Sequence, residues 1–220
     1  MATVVITGAN RGIGLELARQ YTQRGDDVVA LCRRPSDELG KVGVEVIEGF
    51  DVADDEAING LPARFEGRQI DVLVNCAGIL SDESLADLDV GRIRNQFEVN
   101  SLGPLRVTAA LRESLGEGSK VAIITSRMGS IEDNTSGGRY GYRMSKAAVN
   151  MAGRSLAHDL KDDGVSVAIL HPGFVRTDMT GHQGLIDPPE SAAGLIKRID
   201  EVNLENTGTF WHTNGEEIPW

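Results

Sequence analysis

Tyr142 and Lys146 set a phenol and an ammonium four residues apart. On a helix, that spacing brings both side chains to one face, one turn apart. A phenol of ordinary pKa, about 10, is a poor acid or base at neutral pH, but a nearby cation favours its ionised form and lowers that value. The pair therefore reads as a proton donor and acceptor. A surface Tyr and Lys on an amphipathic helix would show the same spacing, so the rest of the chain has to decide.

A second stretch is suited to holding an anion. The β-branched run Thr3-Val4-Val5-Ile6-Thr7 leads into Gly8-Ala9-Asn10-Arg11-Gly12-Ile13-Gly14, after which Leu17, Ala18 and Tyr21 recur at helical spacing until Gly25. The order is strand, glycine loop, helix. Glycines let the backbone approach a pyrophosphate closely, and the helix N-terminus offers free N–H groups and a partial positive charge. The spacing is Gly-x-x-x-Gly-x-Gly, not the Gly-x-Gly-x-x-Gly of the standard dinucleotide fingerprint.

The next apolar run, 27–32, ends in Arg33-Arg34, where an NAD-selective fold places an acid, and no carboxylate follows before Asp37. Guanidinium groups at that point would pair with a 2'-phosphate, which favours NADPH over NADH. Arg33 and Arg34 are both candidates, and Arg11 lies in the loop on the same side of such a cofactor.

Other chemistries are poorly supported. His158, His171, His182 and His212 show no metal-ligand spacing on one helix, so no metal is expected. Ser126, His171 and Asp178 could be drafted as a hydrolytic triad, but Ser126 stands in Ile-Thr-Ser-Arg-Met and lacks a Gly-x-Ser-x-Gly elbow. Cys32 and Cys76 read as reduced structural thiols. A net charge of -11 argues against a nucleic-acid surface. The N-terminus has no basic segment followed by a long apolar run, and no stretch nears eighteen apolar residues, so the expectation is a cytoplasmic protein with no membrane partner.

The elements that must position these groups alternate. Strands are expected at 3–7, 27–32, 45–51, 70–75, 119–126, 164–170 and 209–212. Helices are expected after the glycine loop, at 53–65, across 85–115 with a break or kink at Pro104, from Met144 to about Leu160, and from 187 to about 202. Ala148, Ala152, Leu156 and Leu160 step by four, which predicts a buried stripe with Tyr142 and Lys146 on a neighbouring face. The stretch 174–187 has glycines and no periodicity and reads as a mobile loop. Nearly continuous apolar strands alternating with helices predict an α/β, doubly wound Rossmann architecture. Its parallel sheet of about seven strands would be covered by helices on both faces, in one domain spanning 1–220.

In this order, Thr7-Gly8-Ala9-Asn10-Arg11-Gly12-Ile13-Gly14, Asp51-Val52, Asn75-Cys76-Ala77-Gly78, Asn100, Ile123-Ile124-Thr125-Ser126, Tyr142-x-x-x-Lys146 and His171-Pro172-Gly173-x-Val175-x-Thr177-Asp178 resemble the short-chain dehydrogenase/reductase family from end to end. The short length and the closing Gly208-Thr209-Phe210-Trp211 and Ile218-Pro219-Trp220 look most like its C-factor/sniffer branch, which is carbonyl reductase-like. The resemblance implies an NADP(H)-dependent oxidoreductase acting on a small-molecule carbonyl or alcohol.

By that resemblance Tyr142 donates or accepts the proton, and Lys146 lowers the phenol's pKa and binds the nicotinamide ribose. Ser126 polarises the substrate oxygen, its place directly after a strand favouring it over Ser130, and Asn100 holds a water in the relay. Asp51 and Val52 would meet the adenine, and Asn75, Ala77 and Gly78 the ribose. Thr177 would meet the carboxamide, with Pro172, Gly173 and Val175 of the same motif on the cofactor side. Cys76 departs from the family's frequent second Asn. The resemblance also implies a homodimer or homotetramer, through helices matching 85–115 and 144–160, although some members are monomers. The alternative reading is an NADP-binding regulatory or signalling protein without physiological turnover.

Overall fold

A computed structural model describes residues 1–220. Seven parallel strands form one sheet in the order β3-β2-β1-β4-β5-β6-β7. They are β1 (Thr3–Thr7), β2 (Asp27–Leu31), β3 (Glu45–Ile47), β4 (Val72–Asn75), β5 (Lys120–Ile124), β6 (Ser166–His171) and β7 (Phe210–His212). The chain order reverses at β1, which pairs with β2 on one side and β4 on the other. In open α/β sheets a ligand crevice forms at such a switch point, outside the carboxyl ends of the strands.

Alternation along each strand divides the core into two layers. Val5, Leu73, Val121 and Ile169 face one way, against Val107, Leu111, Val149 and Leu156. These belong to α5 (Gly103–Ala110), the turn that follows it, and α6 (Tyr140–Asp159). Val4, Ile6, Val72 and Val74 face the other way, against Leu17, Ala18, Tyr21, Leu195 and Ile199 of α1 (Gly12–Gln23) and α7 (Pro188–Glu201). Both faces are apolar because both are covered, which is why the strands read as continuous hydrophobic runs.

The helices differ from the sequence reading in four ways. Residues 53–65 form only α3 (Asp55–Asn59) and a separate 3-10 turn at Pro62–Arg64, because Gly60 and Pro62 interrupt the pattern. A short α2 (Asp37–Gly40), capped by the Ser36 side chain, was not anticipated. The segment 85–115 begins as helix only at α4 (Val90–Phe97), passes through a π-helical turn, Glu98–Leu102, and continues as α5. Pro104 therefore opens α5 instead of breaking a helix, since the wide turn before it absorbs the missing N–H. The stretch 174–187, expected to lack structure, holds a 3-10 turn at Asp178–Thr180 and a bridge between Val175 and Ile186.

The stripe on α6 also differs. Its buried positions are Gly141, Tyr142, Ser145, Lys146, Val149, Asn150, Gly153, Leu156 and Ala157. Tyr142 and Lys146 thus lie in line with the core-facing stripe and not beside it; Ala148 and Ala152 are only half-buried. The sheet stops short of the top of α6, so the same stripe that packs on β5 and β6 further along closes over the crevice at its first two turns.

Candidate active site

The glycine loop is drawn against the β4 loop by one hydroxyl. Thr7 Oγ1 accepts from the Cys76 N–H at 3.0 Å and the Ala77 N–H at 3.1 Å. Gly8 follows at φ 70°, and a methyl group added there would fall 2.8 Å from the Ala77 Cα, so only glycine permits this approach. Helix α1 then starts with no side-chain cap at Arg11. Its first N–H groups are left for a ligand, an arrangement that fits a pyrophosphate.

The crevice has a volume of about 680 Å³. Following the sheet outward, Leu31, Cys32, Arg33, Phe50, Asp51 and Val52 line it beyond β2. Gly8, Asn10, Arg11, Gly12, Ile13, Gly14, Ala77 and Gly78 line the centre, and Ile79, Thr125, Tyr142, Lys146, Pro172 and Thr177 the side toward β5 and β6. Arg33 is the arginine of the Arg33-Arg34 pair on this wall, its Nη1 3.7 Å from Asp51 Oδ2. Cys76, Val99, Ile124, Arg176, Asp178, Met179, His182 and Pro188 complete the lining. Arg176, Met179 and His182 carried no sequence signal, because only the folding of 174–187 over the crevice brings them there.

Tyr142 and Lys146 are 8% and 5% exposed. The Lys146 ammonium lies 5.7 Å from the centroid of the Tyr142 ring and donates to the Ile124 carbonyl at 3.0 Å. Burial raises the phenol's pKa above its ordinary value, with the Ser126 hydroxyl and then the Arg139 charge pulling it partly back. Burial likewise lowers the Lys146 pKa to about 8. The expected lowering of the phenol by Lys146 is therefore not met in the free protein. The ammonium itself is desolvated and turned to a backbone carbonyl. Cys76, also against Lys146, is pushed up to about 12 by burial and stays a neutral thiol.

Ser145, between the two residues in sequence, locks them to the π-helical turn. Its Oγ donates to the Tyr142 carbonyl at 2.9 Å and accepts from Asn100 Nδ2 at 3.1 Å, while Ser101 Oγ donates to the Ser145 carbonyl at 2.8 Å. Asn100 also donates to the Ile79 carbonyl and accepts from the Ile79 N–H, both at 2.8 Å. Its side chain thus holds the β4 loop to α6, with both amide protons used. Ser126, two residues past β5, stands behind the crevice wall, as Asn100 does, and accepts from the Met128 N–H at 3.1 Å, so its own proton is free to be donated.

Three expected cofactor residues do not reach the crevice wall. Asn75 is 1% exposed and donates to Thr108 Oγ1 at 3.1 Å, which ties β4 to α5 behind Cys76-Ala77-Gly78. Gly173 packs on Ile186, and Val175 is buried and bridged to the same residue. Each supports the wall from behind.

The chain belongs to the short chain dehydrogenase family, whose model matches residues 2–185. The seven-stranded Rossmann-type sheet is that of its solved relatives. It is 46% identical over 226 aligned residues to the 1-hydroxy-2-glutathionyl-2-methyl-3-butene dehydrogenase of Rhodococcus sp. (strain AD45), covering all of both chains. C-signal of Myxococcus xanthus is 46% identical over 154 residues, which cover 69% of this chain and 93% of that protein. Among solved structures, the NADPH-bound carbonyl reductase from chicken fatty liver superposes with a TM-score of 0.90 at 26% identity, covering 100% of this chain and 99% of that one. These likenesses fall on the branch to which the motifs pointed.

Proposed function

We propose that the protein is an NADPH-dependent oxidoreductase that interconverts a carbonyl and an alcohol, with Tyr142 as general acid–base. The observation that carries this reading is the placing of Tyr142 and Lys146 at the β5–β6 side of a crevice whose far end holds Arg33, with the Ser126 hydroxyl hydrogen-bonded to the phenol. NADPH, when bound, supplies the hydride. The uncapped start of α1 would hold its pyrophosphate and Arg33 its 2'-phosphate. Lys146 would hold the nicotinamide ribose.

Hydride arrival at a carbonyl carbon builds negative charge on the oxygen. Ser126 donates a hydrogen bond to that oxygen and Tyr142 delivers the proton from its phenol. The raised pKa keeps Tyr142 protonated in the free protein, which is the form that reduction requires. The NADPH in the solved carbonyl reductase and the dehydrogenase activity in the name of the Rhodococcus relative both support this reading.

The likeness to C-signal favours a second reading, in which the crevice binds NADP without physiological turnover. A retained set of Asn100, Ser126, Tyr142 and Lys146 is what turnover needs and what a pure binder could lose. NADPH oxidation measured across aldehydes, ketones and quinones tests the two. Turnover with at least one class, abolished in Tyr142→Phe, is expected; tight NADPH binding without turnover on any class would leave the second reading.

A further inference from the structure

Glu83 is a carboxylate with no exposed side-chain surface, and none of the chemistry above uses it. It stands between β4 and α4, where the chain passes against the start of α6. Its partners are neutral donors: the Ser81 hydroxyl, which hydrogen-bonds Oε1, and Gln96 Nε2, at 3.3 and 3.2 Å from the two oxygens. The nearest cation, Arg92 Nε, is 4.0 Å away. Burying a charge this way is costly unless something nearby favours it.

The neighbour is the first turn of α6. That helix has twenty residues, no acid in its first turn, and an N-cap, Arg139, that makes no side-chain capping bond. Arg139 is held in the left-handed region at φ 49°, and its N–H donates to the Glu83 carbonyl at 2.8 Å. A methyl group added at Gly141 would overlap Gln96 Nε2 and come within 3.1 Å of Glu83 Oε2. The carboxylate therefore sits against the positive end of α6, one residue from Tyr142, at a contact that only a glycine allows.

We propose that Glu83, clamped by Ser81 and Gln96, is a positioning residue that caps α6 from outside and fixes the Tyr142 phenol at the crevice. This rests on Tyr142 being the proton donor, and it makes no contact with substrate or cofactor. The clamp also explains the strained backbone at Arg139: the left-handed turn brings the chain onto Glu83 just before the helix begins.

The test compares Glu83→Ala with Glu83→Gln. Displacing a reacting group by about an ångström costs up to a hundredfold. Glu83→Ala is expected to lower kcat by about tenfold or more, with KM and the NADPH Kd changed less than about twofold, and Glu83→Gln, whose one oxygen can still accept from both Ser81 and Gln96, to recover most of it. Should Glu83→Ala not fold, Gln96→Met removes one arm of the clamp and is expected to act in the same direction. Wild-type kcat in the Ala or Met variant, or a Kd that weakens in step with kcat, would overturn the proposal.

A second readout does not depend on turnover. The Tyr142 titration, taken from phenolate absorbance as the difference from Tyr142→Phe, should move down from its raised midpoint toward the ordinary value of about 10 in Glu83→Ala as water reaches the loosened turn. An unmoved midpoint counts against the clamp even if no substrate is ever turned over, so its failure is separable from failure of the enzymatic reading.

Discussion

Arg11 and Asp178 face each other across the mouth of the crevice, Nη1 to Oδ2 at 3.1 Å, one from the glycine loop and one from the segment after β6. The sequence suggested Arg11 for the cofactor's phosphates; in the free protein it is held by a carboxylate whose other oxygen lies 3.2 Å from His182 Nε2. Both members are more than half exposed, so the pair is worth at most about 1 kcal/mol. Asp178→Asn is expected to tighten NADPH binding severalfold at low salt by freeing Arg11 and removing a negative charge from the cleft. The gain should fade as salt shortens the Debye length. Fluorescence titration with NADPH at two ionic strengths checks it, and an equal or weaker affinity in the variant would refute it.

Tyr142→Phe should lower kcat at least a hundredfold while leaving the NADPH Kd within about twofold, because it removes a proton donor and keeps the ring. Lys146→Met should damage both, since on the proposed reading Lys146 holds the nicotinamide ribose as well as facing the phenol. In the wild type, NADPH affinity should weaken as pH rises past about 8, where the buried ammonium loses its proton. A Phe variant with more than about a tenth of wild-type kcat would end the general-acid assignment.

Arg33 lines the crevice and Arg34 does not, so one substitution now separates them. Arg33→Ala should cut the NADPH-over-NADH preference in kcat/KM by about tenfold, the lower end of what a charge-assisted hydrogen bond supplies, since its side chain is 69% exposed. Arg34→Ala should change it little. Equal cofactor use by the wild type at low salt would leave Arg33 without this role.

His171 closes β6 with its ring edge-on to His212 at 4.9 Å, and its Nδ1 is buried without a partner. Burial, then the charges of His212, Arg127 and Lys146, push its pKa down from 6.5 to about 3. Between those two values the unfolded chain binds a proton that the folded one refuses, so stability rises with pH through this window and is lost as pH falls. The full shift amounts to several kcal/mol in order of magnitude. His171→Gln should flatten the fall in denaturation midpoint between neutral pH and about 4. A variant as acid-sensitive as the wild type would move the cause to other groups.

The sequence by itself determined the elements that repeat a local rule. β-branched runs became the seven strands, glycines at 8, 12 and 14 became the turn onto α1, and Tyr142 with Lys146 fell on one side of a helix because four residues make about one turn. Those depend on neighbours along the chain. The family motifs added roles, and most of their residues do converge on one crevice.

What only tertiary structure decided was burial and partnership. Whether Asn75 faces the crevice or Thr108 depends on where α5 packs. Whether Asn100 is free depends on Ile79, twenty-one residues away. Lys146 next to a phenol reads as an acidifying charge in sequence, but inside the fold desolvation is the largest effect on each and moves both groups toward their neutral forms. Glu83 looks like one more surface acid in an acidic chain. It becomes part of the site only because Gln96 and Gly141, thirteen and fifty-eight residues further on, close around it; sequence spacing carries no record of contacts made at that distance.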